Sequence, residues 1–155
     1  MNIVDWLRPD RQPDEFIGGQ ERPLIQRWHI FRKSRLKFLE NIYLHRICRS
    51  DDDRALHDHP WWNISIVLSG GYYEVMPDIA LGYADGWWRG THQKWRGPGS
   101  VVFRSSEAMH RIEMPEHPPT ETWTLFITGR KSKEWGFFCP KGFVHWTLFG
   151  EKGCG

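Results

Sequence analysis

Little in this chain points toward a membrane, a nucleic acid or a disulfide-built scaffold. Its 155 residues hold no apolar run near the roughly 18 residues that a spanning helix needs. A charge excess is missing too. Twenty-one Lys and Arg against 19 Asp and Glu leave +2, and the basic clusters are RKSRLK (32–37) and GRKSKE (129–134). A protein that grips phosphates shows a stronger basic balance, so neither a nucleic-acid nor a membrane partner is expected. Both clusters read as solvated turns. Cysteine is scarce: Cys48, Cys139 and Cys154 form no CxxC and are odd in number. That is a poor disulfide framework and a poor thiolate zinc site, and Cys139 reads as a small buried hydrophobe. The opening MNIVDWLRPDRQPDEF lacks a basic segment followed by an apolar one, so the expected compartment is the cytoplasm. No Gly-x-Ser-x-Gly, phosphate loop or dinucleotide fingerprint occurs, which speaks against hydrolase, nucleotidase and dehydrogenase chemistry.

Aromatic residues are abundant instead, with ten Trp, nine Phe and four Tyr. So many rings require broad apolar walls, as in a compact β core or an aromatic-lined pocket. One domain suits this length, and no repeat or linker divides the chain. Residues 1–23, with Pro9, Pro13, Pro23 and Gly18-Gly19, read as an N-terminal arm holding at most a short helix at 3–8. Residues 24–155 read as the β domain. Strands are predicted at Leu24–Phe31, Asn41–Arg49, Asn63–Leu68, Tyr72–Met76 and Trp87–Trp95. Others follow at Ser100–Phe103, His110–Glu113, Thr122–Thr128, Trp135–Cys139 and Phe143–Leu148. Lys33–Glu40 reads as a short helix or a turn. Short strands at this spacing, without long helices between them, indicate an all-β sandwich or small barrel.

The eight histidines differ in what they say. His57 and His59, in LHDHPWWNISIVLSGG, are one residue apart, so an extended backbone turns both rings to one face and Asp58 to the other. Some forty residues on, GPGSVVFRSSEAMHRIE carries a turn, a strand, a polar loop and then His110. Three neutral imidazoles on a rigid wall suit a first-row divalent ion and leave coordination positions open.

His-x-His, a strand ending in glycine (Gly70), then Gly99, a strand, a loop and His110 resemble the two motifs of the cupin superfamily. The resemblance covers about residues 41–128. It implies an all-β, cupin-type jelly-roll β-barrel with one divalent transition metal on His57, His59 and His110. Iron is the first choice, with zinc, nickel, manganese or copper as alternatives. The family's usual glutamate ligand falls at Asn63. The wider pattern, HDHPWW through HR to EWGF, CP and GFVHW, is similar to cupin-like proteins of phages and prophages. A weaker similarity runs to the three-histidine thiol dioxygenases, through LHDHPWWNISIVLSGGYYE and MHRIE. Their cysteine near Asn63–Ile64 and their Ser-His-Tyr series are absent, since that later strand reads ETWTLFIT. The implied function is a non-haem metal-dependent dioxygenase acting on a small polar molecule. The alternatives are a metal-dependent sugar isomerase or epimerase, and a non-catalytic binding or sensor module such as a phage accessory protein. A metal-free barrel that takes a sugar on its aromatic wall is a further reading. No catalytic residue is assigned, and the resemblance also implies pairing into a homodimer.

Other residues are pocket candidates. On Asn41–Arg49, either His45 or Arg46 can enter the pocket, the latter as an anchor for a carboxylate or phosphate. Glu74 can approach the metal from a neighbouring strand, although an exposed strand glutamate is the commoner state. Trp61 or Trp62 can cover the pocket while the other packs outside. His145 reads as a packed or interface residue, and Asp51-Asp52-Asp53 as a solvated turn.

Overall fold

A computed structural model describes residues 9–31, 37–51, 55–84, 87–117, 121–150 and 153–155. Alternation sets the strands. In β5 (Asn63–Ser69) the buried positions are Asn63, Ser65 and Val67, with Ile64 and Ile66 between them only half-buried. The same rule in β6 (Tyr72–Pro77) buries Tyr72 and Glu74 and exposes Tyr73. The other long strands are β2 (Ile25–Phe31), β3 (Asn41–Ile47), β9 (Thr91–Arg96) and β12 (Thr122–Thr128). Shorter ones are β1 (Glu15–Ile17), β4 (Leu56–His57), β7 (Tyr83–Ala84), β8 (Trp87–Trp88), β10 (Val101–Arg104), β11 (Arg111–Glu113), β13 (Gly136–Cys139) and β14 (Gly142–His145).

Six of them form an antiparallel sheet in the order β1-β2-β3-β12-β5-β10. Two three-stranded pieces, β11-β6-β9 and β14-β13-β4, make up the other wall. They meet at one backbone bridge, His57 with His110. Between the walls, Ile47 and Val67 of the large sheet pack on Tyr72, joined by Ile25, Ile112 and Met114. A second cluster, Trp28, Leu44 and Trp123 with Leu68, uses the alternate positions of the large sheet and so lies on its other face. There the Trp28 and Trp123 rings stack at 5.5 Å, and Trp28 Nε1 donates to the Arg11 carbonyl at 2.9 Å. The residue 9–14 stretch thereby covers the outer face.

The structure differs from the sequence reading at several elements. Within the segment read as an arm, Glu15–Ile17 is a sheet strand paired with β2. The helix predicted at 3–8 lies outside the described residues, as do positions 32–36, and residues 37–40 form bend and coil. The strand expected over Trp87–Trp95 is broken at Arg89-Gly90. The last strand ends at His145, and Trp146–Phe149 (α1) closes into a helical turn. The cause is local: the His145 imidazole accepts from the Thr147 amide and caps the turn.

Cysteine is the other correction. Cys139 is buried as expected, but it is joined to Cys154 by a disulfide. Counting thiols missed this because the pairing depends on the β13–β14 hairpin returning the C-terminal segment over residue 139. The closed loop spans 15 residues, so reduction should lower stability by about 3 kcal/mol. Denaturant unfolding with and without a thiol reductant, with Cys154→Ser as the reference, measures this. A disulfide of this kind persists in oxidising compartments and is rare in the cytosol. Among the described residues no helix is long and apolar enough to cross a membrane.

Candidate metal centre

The histidine cluster is assembled by backbone as much as by side chains. His57 closes β4, and His110 lies just before β11. Their main chains pair reciprocally, His57 N to His110 O at 2.9 Å and His110 N to His57 O at 3.0 Å. His59 follows two residues on, its amide directed at the Ser106 carbonyl at 3.4 Å. Asp58 turns away, as alternation requires. It is 2% exposed, accepts from the Gly136 amide at 2.9 Å and forms an ion pair with Lys133. This anchor holds the His-x-His segment against the start of β13.

The three rings converge. Their centroids lie 5.0 Å (57 and 110), 5.1 Å (57 and 59) and 5.1 Å (59 and 110) apart. One nitrogen from each lies within 4.8 Å of the others, and His59 Nε2 approaches His110 Nε2 to 2.9 Å. Burial pushes His110 down to about 3, the Arg104 charge adds to the fall, and the hydrogen bond to Glu74 opposes it. Burial also takes His59 well below its ordinary range, helped by the neighbouring histidines, Arg104 and Arg27. At neutral pH both are therefore uncharged imidazoles with a lone pair to offer.

Glu74 holds His110 in place. Its Oε1 accepts from His110 Nδ1 at 2.9 Å and from Arg104 Nε at 2.5 Å. Its Oε2 accepts from Arg96 Nε at 2.6 Å. A proton fixed on Nδ1 leaves the Nε2 lone pair of His110 facing the other rings. Burial alone would raise this carboxyl. The His110 hydrogen bond and the Arg104 charge outweigh it and keep Glu74 below the usual carboxylate range. The sequence reading of Glu74 as most often an exposed strand residue is thus corrected: it is 1% exposed.

Other candidates separate by strand phase. Asn63 is fully buried, and its Oδ1 accepts from Arg104 Nη1 at 3.2 Å. Trp61 stacks on His59 at 5.0 Å, nearly parallel, while Trp62 packs on Phe103 away from the cluster. Trp135 and Phe137 stand over His57 at 6.3 and 5.6 Å. His45 and Arg46, left open between them, face opposite ways. Arg46 bonds Glu121 and Gln26 and lies over Trp123 on the outer face, which removes it from the pocket. His45 lies inward, stacked between Tyr43 and Phe126, and Phe126 meets Trp61. It does not join the three-histidine cluster. His145 pairs with Glu134 and Thr147 at the surface.

Two interior arginines escaped the sequence reading. Arg104 is the inward position of VVFR, in phase with buried Val102. Arg27 alternates with Ile25 and His29, donates to His45 Nε2 at 2.9 Å and to Glu15 at 3.0 Å, and lies 4.4 Å over Tyr43. For Arg104 the signal was a charged residue in phase with its strand's buried position; Arg27 carried no such signal, since the buried position of β2 is Trp28, in the opposite phase.

His45 supplies a pH prediction away from the cluster. Burial, then the charges of Arg27 and His29, depress it well below 6.5. The unfolded chain therefore takes up a proton that the folded one refuses. Stability is fully present above pH 6.5 and falls below it, with a slope approaching about 1.4 kcal/mol per pH unit. Metal-free His45→Gln, unfolded in urea at pH 7.5, 6 and 5, should show a shallower loss than the wild type. Arg27, its partner Glu15, and His29 are the charged or titrating groups around this residue. Equal slopes in the two proteins would exclude the role.

No family model matches the chain, and no curated protein matches it by sequence. Solved structures do match by shape. Fe(II) HppE superposes over 77% of this chain and 57% of its own, with a TM-score of 0.56 and 13% identity. The DMSP lyase DddQ from Ruegeria pomeroyi DSS-3 gives 81% and 57%, with 0.52 and 16%. A cupin-2 domain containing protein from Shewanella frigidimarina NCIMB 400 gives 84% and 94%, with 0.50 and 13%. The chain thus spans a little over half the length of HppE and DddQ. At these identities the likeness concerns the fold: an all-β, cupin-type jelly-roll barrel.

Proposed function

We propose that this cupin-fold chain binds one divalent transition metal through His57, His59 and His110 and acts as a non-haem metal-dependent oxygenase on a small polar molecule. The observation that carries this reading is the meeting of three imidazoles, one held in a fixed tautomer by Glu74. The donor set fits such an ion. A metal–nitrogen bond of about 2.0–2.1 Å places ligands at right angles roughly 3 Å apart, and tetrahedral ligands roughly 3.4 Å apart. The three donor nitrogens lie within 4.8 Å of one another, so small ring movements reach either spacing, and iron stays the first choice for neutral imidazole donors. When bound, the ion would hold substrate oxygens and O2 and stabilise developing negative charge. The chain's own part is to keep the imidazoles neutral, aim His110 through Glu74 and line the approach with Trp61, Trp135 and Phe137.

An isomerase or epimerase needs a carboxylate or imidazole base poised near neutral pH. Among the described residues two carboxylates lie against the cluster: Glu74 is saturated by Arg96, Arg104 and His110, and Asp51, 3.9 Å from His57 Nδ1, accepts from the Ile112 amide. This favours the oxygenase reading over the isomerase. The test begins with elemental analysis of protein purified without added metal, followed by O2 uptake in the Fe(II) form across small hydroxy acids and polyols. About one metal per chain with substrate-dependent O2 uptake is expected. Failure to retain any transition metal after reconstitution would overturn the metal reading, and retention with ligand binding but no O2 uptake would turn it toward a binding module.

A further inference from the structure

Asn63 stands where the cupin resemblance places a glutamate ligand, and its geometry gives it another task. Arg104 Nη1 meets its Oδ1 at 3.2 Å. A guanidinium only donates, so the oxygen end of the amide is committed to it. The amide nitrogen, in a side chain that is 0% exposed, has no partner. Nearly all buried NH2 groups in native proteins are satisfied, so an orphaned one calls for an acceptor, a water or a ligand oxygen, that the chain itself does not supply. A chain of contacts links Asn63 to the histidines: Arg104 also donates to the Glu74 oxygen that receives the His110 proton. The register sets Asn63 beside Arg104 on the inward face of β5 and β10.

The charges near the cluster point to the kind of acceptor. Burial keeps His59 and His110 neutral, and no carboxylate is among the three donors. Glu74 is shared by two guanidinium groups. A divalent ion held here would gain no negative charge from its own donors. Of the carboxylates beside the rings, Glu74 is shared with Arg96 and Arg104 while Asp51 stands 3.9 Å from His57 Nδ1, which leaves room for an anionic oxygen.

We propose that the site takes a small ligand presenting an anionic oxygen, a carboxylate of the hydroxy-acid class, and that Asn63 Nδ2 donates to it. This rests on the metal reading above. Asn63 is then a specificity residue and not a metal ligand.

Asn63→Asp isolates the role, because it keeps size and an acceptor for Arg104 while exchanging the donor for a second acceptor. The probes are glycolate and its neutral counterpart glycolamide, titrated into the Co(II)-loaded protein and followed by visible absorption. The wild type should prefer glycolate by roughly tenfold or more, and Asn63→Asp should retain cobalt yet bind glycolate roughly ten- to a hundredfold more weakly. Should Asn63→Asp fail to fold, Asn63→Ser is judged on the same two ligands. Equal affinity of wild type and variant for glycolate overturns the proposal, as does a wild type that binds both probes alike. A wild type that takes up no cobalt defeats the metal reading itself, and is distinguished by elemental analysis before any probe is added.

Discussion

His110→Ala is expected to lose its metal, at least about a hundredfold in affinity, while remaining folded. The reason is that residue 110 serves the fold through its backbone and the cluster through its side chain. Its amide and carbonyl both bond to His57, and alanine keeps these bonds. Removing the ring deletes one of three donors and frees Glu74, which stays paired with Arg96 and Arg104. His57→Ala should behave alike. His45→Ala is the informative control, since it removes an equally buried imidazole that lies outside the cluster. Elemental analysis and circular dichroism of the three variants decide the matter. Near-stoichiometric metal in both His57→Ala and His110→Ala would refute the ligand set.

Glu74→Gln is the second large effect, and it should weaken two properties at once. The carboxylate is 1% exposed and is shared by two guanidinium groups. An amide in its place leaves buried positive charge uncompensated, at a cost of about 3–5 kcal/mol. The same change loosens the His110 tautomer, which should lower metal affinity about 10–100-fold. The two consequences separate experimentally. Urea unfolding of the metal-free protein reads the first, and Co(II) titration at a temperature where the variant is folded reads the second. Unchanged affinity in a destabilised variant would make Glu74 a structural residue alone.

Much of this arrangement was legible in the residues. His57 and His59 share a face because extended backbone has a period of two, and the turn-strand-loop pattern placed His110 at the start of the next strand, where it stands one residue before β11. The β class followed from short aromatic and β-branched runs between glycine and proline turns. What escaped depends on contacts between distant segments. Phase alone could not choose between His45 and Arg46, because it does not tell which side of β3 is the interior. That choice is made by Glu121 pairing with Arg46 outside and Arg27 meeting His45 inside. Glu74 looked like a solvated strand residue until Arg104, thirty positions later, supplied its counter-charge. Cys154 finds Cys139 only once the terminal hairpin has formed. Period-two reading also carried the last strand through Leu148, where a side-chain cap at His145 ends it.

The single rung between His57 and His110 has a wider consequence. Two half-walls of the barrel are sewn together at the same residues that present the imidazoles, so the spacing of those rings is inherited from peptide geometry. Lengthening the loop at 105–109 would reshape the mouth above the rings without respacing His57 and His110. Any ion seated there would brace a seam that the backbone rung already closes.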